Sequence, residues 1–214
     1  MNSATCLDDV PSPIDLQDPD HAAEWAATAL DKRPWRPEFF ARFAKELRRQ
    51  DHHRPLRVLE LGSGPGFLAE HLLAHVPALH LDLLDFSAAM HELARSRLMP
   101  QWQAHLRFVQ ASFRSPDWMS SLQPGYDFVV TNQAVHELRH KRHAATLHAQ
   151  VRGLLAPDAS YLVCDHFCGE GGMRNEQLYM SVDEQRQALQ LAGFPRVDEL
   201  LCKGGMVLHR ARCG

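Results

Sequence analysis

The sequence predicts a doubly wound α/β domain whose seven-stranded sheet is mostly parallel, closes with a C-terminal antiparallel hairpin and carries a helical N-terminal cap. From residue 56 onwards, short apolar runs alternate with segments of helical periodicity, which is typical of a parallel sheet with helices on both faces. The runs over residues 56–61 and 126–131 are almost continuously apolar, as strands buried on both faces are. Two final runs flank Lys203, Gly204 and Gly205, and this spacing predicts a hairpin.

The elements follow one another in a regular order. Strands are predicted over residues 56–61, 79–84, 106–111, 126–131, 159–166, 197–202 and 206–211. Between them, helical periodicity predicts helices over residues 67–76, 87–98, 140–155 and 181–193. Ser87 is a predicted N-cap. Ser181 and Glu184 form the pattern of a capping box, and Gly193 ends that last helix.

The N-terminal part has a different character. Residues 1–20 are rich in Pro and Asp without periodicity, which predicts a flexible arm. Helical spacing over residues 21–30 and again from Pro37 onwards predicts a helical cap or lid over residues 21–54. Residues 55–214 then form the predicted α/β domain.

The composition is that of a globular protein and disfavours several function classes. Of 214 residues, 45% are hydrophobic and 23% are charged, unlike collagen-like, coiled-coil or disordered chains. Lys and Arg number 23 against 26 Asp and Glu, so the chain lacks the basic excess typical of nucleic-acid binders. No apolar run is long enough for a membrane span, and the first residues do not read as a secretion signal. The five scattered cysteines favour a reducing cytoplasm.

The segment from Val58 to Phe67 contains a strand, a glycine-rich turn and the start of a helix. Glycines let the backbone approach a ligand closely, and a helix N-terminus offers free N–H groups. A dinucleotide site has the spacing G-x-G-x-x-G, but here the spacing is G-x-G-x-G and Phe67 occupies the final glycine position. Glu60 would repel a pyrophosphate, whereas it suits a ligand that carries an ammonium and a sulfonium. S-adenosylmethionine is such a ligand.

The segment VLELGSGPG resembles motif I of the class I S-adenosylmethionine-dependent methyltransferases, whose fold is Rossmann-like. Further segments resemble this family in the same order: LDFS at 84–87, FVQASF at 108–113, YDFVV at 126–130, LLAPDASYLVCDH at 154–166, and the final hairpin. The resemblance implies S-adenosylmethionine as the methyl donor and S-adenosylhomocysteine as the product.

The resemblance also implies the cofactor-binding residues. Glu60, Gly62 and Gly64 would hold the methionine portion of the donor, and Asp85 would accept hydrogen bonds from both ribose hydroxyls. An alternative role for Asp85 is a charge at the N-terminus of the helix that Ser87 caps. The predicted set comprises Glu60, Gly62, Ser63, Gly64, Gly66, Asp85, Phe86, Ser112, Phe113, Asn132 and Gln133.

One position departs from the family pattern. After the third strand the family usually has an acid that accepts from the adenine amino group, and here the matching residue is Ser112. A hydroxyl accepts such a bond more weakly than a carboxylate. Phe113 would add a backbone N–H and an apolar wall for the ring.

Two histidines lie where the donor methyl should be and are the predicted catalytic residues. His136 follows the fourth strand within TNQAVHEL, a segment without the Asn-Pro-Pro-aromatic pattern of amino methyltransferases. His166 ends the fifth strand. Each is a candidate base or hydrogen-bonding group for the acceptor. The competing interpretations are that His136 packs in a turn, and that His166 joins Cys164 and Cys168 in a zinc site; the cysteine spacing disfavours the metal.

The remaining candidates concern the acceptor. Trp35 in the cap, Glu137 beside His136, and Met173 in the glycine-rich loop over residues 169–174 are the predicted substrate-binding residues. The alternative for the cap aromatics is simple packing on the sheet.

The predicted function is methyl transfer to a small molecule, because the chain is not basic and its cap is short. Two alternatives stay open: a methyltransferase for protein or RNA, and a non-catalytic member that binds a cofactor or a partner. The sequence leaves open whether oxygen, nitrogen, sulfur or carbon accepts the methyl group, and which oligomer forms.

Overall fold

The structure, a computed structural model, describes residues 9–49 and 54–214. The strands are β1 (Leu56–Leu61), β2 (Leu79–Asp85), β3 (Leu106–Gln110), β4 (Tyr126–Asn132), β5 (Leu155–His166), β6 (Arg196–Lys203) and β7 (Met206–Arg212). The α-helices are α1 (Pro19–Thr28), α2 (Arg36–Leu47), α3 (Phe67–His75), α4 (Ala88–Arg97), α5 (Ala144–Leu154) and α6 (Val182–Leu191). Short 3-10 helices span Pro100–His105, Val135–Leu138 and Lys141–His143. Among the described helices, none has the length and apolar character to cross a membrane.

The strands form one seven-stranded sheet in the order β3-β2-β1-β4-β5-β7-β6. β1 pairs in parallel with β2 and β4, and β5 pairs in parallel with β4. β7 runs antiparallel to both β5 and β6. The predicted doubly wound sheet with its C-terminal antiparallel hairpin is therefore confirmed. The strand order reverses beside β1, and ligands bind at such switch points in open α/β sheets.

Alternating residues of the sheet fill two cores. Val58 of β1 faces α2 and α3 and packs with Phe43 and Leu72. Its neighbour Leu59 faces the opposite side and packs with residues of α5 and α6, including Val151. Because successive side chains of a strand point to opposite faces, one apolar run serves both layers. This gives the three-layer architecture that the continuous apolar runs predict.

The junction of α5 and β5 differs in its bounds from the prediction. The predicted helix over residues 140–155 begins with a 3-10 turn, and the predicted strand over residues 159–166 begins earlier, at Leu155. Leu155 pairs with Tyr126 and the next pair joins Ser160 to Phe128, so the register shifts. Asp158 lies in this bulge with φ +62°, a left-handed conformation that Asp tolerates better than most residues.

The described residues before α1 are bonded to the α/β domain. The Val10 N–H donates to the Arg139 carbonyl (2.8 Å), and the Arg139 guanidinium donates to the carbonyls of Val10 (2.9 Å) and Pro11 (2.6 Å). The Ser87 hydroxyl donates to the Leu16 carbonyl (2.5 Å). Asp9 pairs with Arg114, Arg142 and His143. The composition of the arm predicts flexibility, but its main chain is hydrogen-bonded to Arg139 at Val10 and Pro11 and to Ser87 at Leu16; residues 1–8 lie outside the described part.

Candidate active site

Two glycines shape the loop after β1. Gly62 has φ +67°, and a Cβ built there would lie 2.3 Å from the Ala134 Cβ. Gly66 has φ +82° and is the N-cap of α3; a Cβ there would lie 3.2 Å from the Ala94 Cβ of α4. Only a residue without a side chain combines these conformations with these contacts. The loop therefore passes close to the β4 loop on one side and to α4 on the other.

A cavity of about 830 Å³ opens at the carboxyl ends of β1, β2, β4 and β5. Most of the residues predicted from the sequence line it: Glu60, Gly62, Ser63, Gly64, Asp85, Phe86, Ser112, Phe113, Asn132, Gln133, His136, Glu137 and His166. Gly66, Trp35 and Met173 do not line it. The sheet thus brings together residues that are more than 100 positions apart in the chain.

The three predictions that the cavity does not support have structural reasons. Gly66 lies behind the loop, where its backbone packs on Ala94. Trp35 packs against the β6–β7 turn, since a Cβ at Gly204 would lie 2.2 Å from the Trp35 ring. The Met173 N–H donates to the Phe167 carbonyl (2.8 Å) within its own loop. The expected contacts of Gly66 with the cofactor and of Trp35 and Met173 with substrate are therefore not supported.

Asp85 braces the glycine loop from the end of β2. One carboxylate oxygen accepts from the Gly64 N–H (2.8 Å) and the other from the Ser87 N–H (2.9 Å). Burial raises the pKa of Asp85, although its hydrogen bonds to backbone N–H groups lower it. Each carboxylate oxygen has a second lone pair. Asp85 can therefore fix the loop and also accept from a ligand hydroxyl.

Three polar atoms lack hydrogen-bond partners within the described residues at the end of the cavity that the motif I loop and the end of β4 form, here called the donor end. Glu60 Oε2, Ser63 Oγ and Asn132 Oδ1 are buried without a hydrogen bond. Burial and the nearby Asp85 raise the pKa of Glu60 well above its usual value. Buried polar atoms without partners are rare in native proteins and mark positions where a ligand or water completes the network. A ligand with an ammonium and hydroxyl groups fits this set, as S-adenosylmethionine does.

His136 is held by two carboxylates. Its Nδ1 lies 2.7 Å from Asp165 Oδ1, and its backbone N–H donates to Asp165 Oδ2 (2.8 Å). On the other side, Nε2 lies 3.4 Å from Glu137 Oε1. Burial alone would lower the pKa of His136, but Asp165 and Glu137 raise it to about 10. His136 is thus an imidazolium at neutral pH, in the same cavity that Asp85 and Glu60 line.

His166, in contrast to His136, is neutral. Burial lowers the pKa of its imidazole to about 4, against the pull of Asp165. Its Nε2 lies 2.7 Å from Nε2 of Gln133, so the neutral ring accepts from that amide. Gln133 has φ +59° and its Oε1 accepts from Nε of Arg36. Non-glycine residues in this conformation are often found at functional sites.

Sequence reasoning missed Asp165 and the arm as contributors to the site. Asp165, one position before His166, does not line the cavity but is the carboxylate that raises the pKa of His136; its place at the end of a strand, like that of Asp85, was the available signal. Ser12, Ile14 and Leu16 line the cavity from the arm and belong to no motif. Arg33 and Arg36, in the predicted lid, also line it. Among the described residues, no group of three or more His, Cys, Asp or Glu is placed to hold a metal ion.

The comparisons with known proteins agree with this geometry. Residues 58–158 match the model of a methyltransferase domain. The fold and this match confirm the resemblance to the class I S-adenosylmethionine-dependent methyltransferases that motif I indicates. Over residues 58–158 the chain is therefore similar to a methyltransferase domain of that class.

Individual relatives match only part of this chain or share a low sequence identity with it. Over 87 residues the chain is 31% identical to a malonyl-[acyl-carrier protein] O-methyltransferase of Paenibacillus sp. (strain JDR-2), which covers 40% of this chain and 31% of that protein. An O-methyltransferase family protein from Burkholderia thailandensis has a similar structure, with a TM-score of 0.66, 16% identity, and coverage of 84% of this chain and 56% of that one. An N-methyltransferase of Haemonchus contortus, in complex with phosphomonomethylethanolamine and S-adenosylhomocysteine, gives a TM-score of 0.61 at 15% identity, over 75% and 38% of the two chains. The aligned part is less than a third of the curated relative's length, 56% of one solved chain and 38% of the other.

Proposed function

We propose that the chain transfers a methyl group from S-adenosylmethionine to a small-molecule acceptor by in-line displacement. The observation that supports this best is that one cavity of about 830 Å³ is lined both by the motif I loop with Asp85 and by His136, whose Nδ1 is paired with Asp165. A volume of this size suits small-molecule ligands. The arm and the cap contribute to the lining through Leu16, Trp25 and other residues, which favours a compact acceptor over a folded protein or RNA.

The donor-binding residues each gain something from the ligand. The donor supplies an electrophilic methyl group on a sulfonium when it is bound. Glu60 would then face a cationic ligand and be stabilised as a carboxylate, because an opposite charge lowers the pKa of an acid. Asp85 would accept from the ribose while it keeps the Gly64 N–H in place.

His136 and His166 lie at what we call the acceptor end of the cavity. Their charge states favour orientation of the acceptor over removal of a proton from it. As an imidazolium, His136 cannot accept a proton, but its Nε2–H can donate to an acceptor in place of Glu137. His166 stays neutral and fixes the amide of Gln133. Methyl transfer to a nucleophile that is already deprotonated needs mainly alignment with the methyl group. We therefore assign both histidines to positioning of the acceptor.

The described cysteines bear on the location of the protein. Cys164, Cys168, Cys202 and Cys213 are free thiols, as expected in a reducing compartment. A cytoplasmic location is part of the proposal.

A screen with labelled donor tests the proposed function. Purified protein and methyl-labelled S-adenosylmethionine are incubated with fractionated metabolite pools, and labelled products are identified by mass spectrometry. In parallel, titration calorimetry measures S-adenosylhomocysteine binding. We expect binding and at least one labelled small molecule. Absence of S-adenosylhomocysteine binding by folded protein would overturn the proposal, and label only in protein or RNA would favour the alternative acceptor.

A further inference from the structure

Two arginines of the cap line the cavity and have no role in the donor binding proposed above. Arg33 precedes α2 and Arg36 is its first residue, and both line the cavity. Arg36 is 5% exposed. Within residues 9–49 and 54–214, neither guanidinium forms an ion pair with a carboxylate; Arg33 donates only to the Lys32 carbonyl (2.8 Å). An unpaired cation at such burial is costly unless a ligand provides the counter-charge.

The surroundings hold the Arg36 guanidinium in place without neutralising it. Its central carbon lies 5.4 Å from the centre of the Trp25 ring, and its Nε donates to Gln133 Oε1. Burial and the neighbouring charge of Arg33 lower the pKa of Arg36 to about 10, so it stays protonated at neutral pH. Gln133 connects this guanidinium to His166. Arg36 is therefore connected through Gln133 to His166 at the acceptor end.

The acids that line the cavity are largely engaged elsewhere. Asp85 accepts from the Gly64 and Ser87 N–H groups. Glu137 pairs with His136 (3.4 Å) and with Arg139 (3.3 Å). Asp15 accepts from the N–H of Gln17 in the arm. Glu60 Oε2 at the motif I loop has no hydrogen-bond partner, and no described carboxylate forms an ion pair with Arg33 or Arg36.

We propose that Arg33 and Arg36 form a carboxylate-binding site and that the acceptor is an acidic small molecule. The inference rests on the proposed methyltransferase function. Guanidinium groups bind carboxylates through paired N–H donors. The donor itself carries one carboxylate on its methionine part, which could occupy one arginine. Two guanidiniums with no acid between them exceed that single charge, so an acidic acceptor supplies the second.

The experiment separates these two sources of carboxylate. Benzoate and its neutral analogue benzamide are titrated by NMR into protein saturated with S-adenosylhomocysteine. S-adenosylhomocysteine itself is compared with 5′-deoxy-5′-(3-aminopropylthio)adenosine, which lacks the carboxylate. The proteins are the natural chain, Arg33→Met, Arg36→Met, the conservative Arg36→Lys, and Arg95→Met as an exposed-arginine control. Thermal unfolding confirms that each variant is folded.

We expect benzoate to bind the natural chain more tightly than benzamide does. Arg33→Met and Arg36→Met should each lower the affinity for benzoate about tenfold, as loss of a charge-assisted bond predicts. Arg36→Lys should retain part of this affinity, and Arg95→Met should retain all of it. Equal binding of benzoate and benzamide while S-adenosylhomocysteine still binds would overturn the acidic acceptor alone. If Arg36→Met weakened only S-adenosylhomocysteine and not its decarboxylated analogue, with no selection of benzoate, the site would belong to the donor and the acidic acceptor would be wrong. Loss of S-adenosylhomocysteine binding by the natural chain would overturn the function and this inference together.

Discussion

At the scale of single residues, burial sets different charge states around one cavity. Glu60 and Asp85 at the donor end have raised pKa values because burial disfavours their charged forms. At the acceptor end, two histidines near the same Asp165 diverge: His136 has a pKa of about 10 and His166 of about 4. Direct ion pairing with Asp165 decides the pKa of His136, and burial decides that of His166.

Glu60→Gln should separate stability from binding. The folded pKa of Glu60 lies above its unfolded value of about 4.5, so its contribution to stability is fully present below that pH and is lost as pH rises through the folded pKa. In the variant, the melting temperature should fall less as the pH rises above 4.5. We also expect it to bind S-adenosylhomocysteine roughly tenfold more weakly. Thermal unfolding against pH and calorimetry measure this. Glu92→Gln, on the exposed face of α4, is the control; unchanged affinity in Glu60→Gln would contradict the donor role.

Asp165→Asn should return His136 towards an ordinary pKa. The folded pKa of about 10 exceeds the usual value of 6.5. The pair therefore contributes its full stability below pH 6.5, and this is lost as pH rises through about 10. Nitrogen NMR of the imidazole should show a protonated ring at pH 8 in the natural chain and a neutral ring in the variant. Asp183→Asn, an exposed acid, should leave the ring protonated. A neutral His136 at pH 8 in the natural chain would contradict the charge assignment.

At the scale of elements, the strand-to-helix loops are fixed by glycines whose partners lie on other elements. The β1–α3 loop needs Gly62 because Ala134, after β4, occupies the space of a side chain. By contrast, Gly153 inside α5 has no atom within 4 Å of a built Cβ and has an ordinary helical conformation. Two glycines of the same chain thus offer a matched pair of substitutions.

Gly62→Ala should destabilise the fold and weaken donor binding. The added Cβ meets Ala134 and the residue keeps φ +67°, so we expect a loss of about 1–3 kcal/mol in the free energy of unfolding. Gly153→Ala should instead gain about 0.5–1 kcal/mol, because Ala loses less backbone entropy in a helix. Urea unfolding measures both, and calorimetry with S-adenosylhomocysteine measures binding. Equal effects of the two substitutions would contradict the close approach at Gly62.

At the scale of the whole molecule, the arm and the cap complete a cavity that the sheet alone leaves open. Arg139, held by the main chain of Val10 and Pro11, ties the arm to the loop after β4. Lys203 of β6 pairs with Glu38 of α2 (2.5 Å), and Arg210 of β7 pairs with the buried Glu46 (2.6 Å). These contacts join the hairpin to α2 of the cap.

Removal of residues 1–16 should weaken donor binding more than it weakens the fold. The deletion takes away Ser12, Ile14 and Leu16 from the lining but keeps Asp18, which caps α1, and both cores. We expect S-adenosylhomocysteine affinity to fall about tenfold, while the melting temperature without ligand changes little. Arg95→Met serves as an unrelated surface control. An unchanged affinity would show that the arm is not part of the binding site.

The sheet, its closing hairpin and the position of the glycine loop at the end of the first strand could be predicted from the chain alone, because hydrophobic periodicity and glycine spacing are local signals. Glu60, Gly62 and Asp85 could be placed at strand ends from the chain alone. The role of Gly66 could not, because its neighbour Ala94 is on another helix.

Only the tertiary structure decided the acceptor end. The charge of His136 depends on Asp165, which lies 29 positions away, and the cation at Arg36 depends on burial beside Trp25 and Gln133. A pKa reflects every charge and every low-dielectric contact around a group, and these come from distant parts of the chain. The sequence could name the histidines, while only the packed fold set which one is charged and placed two unpaired arginines beside them.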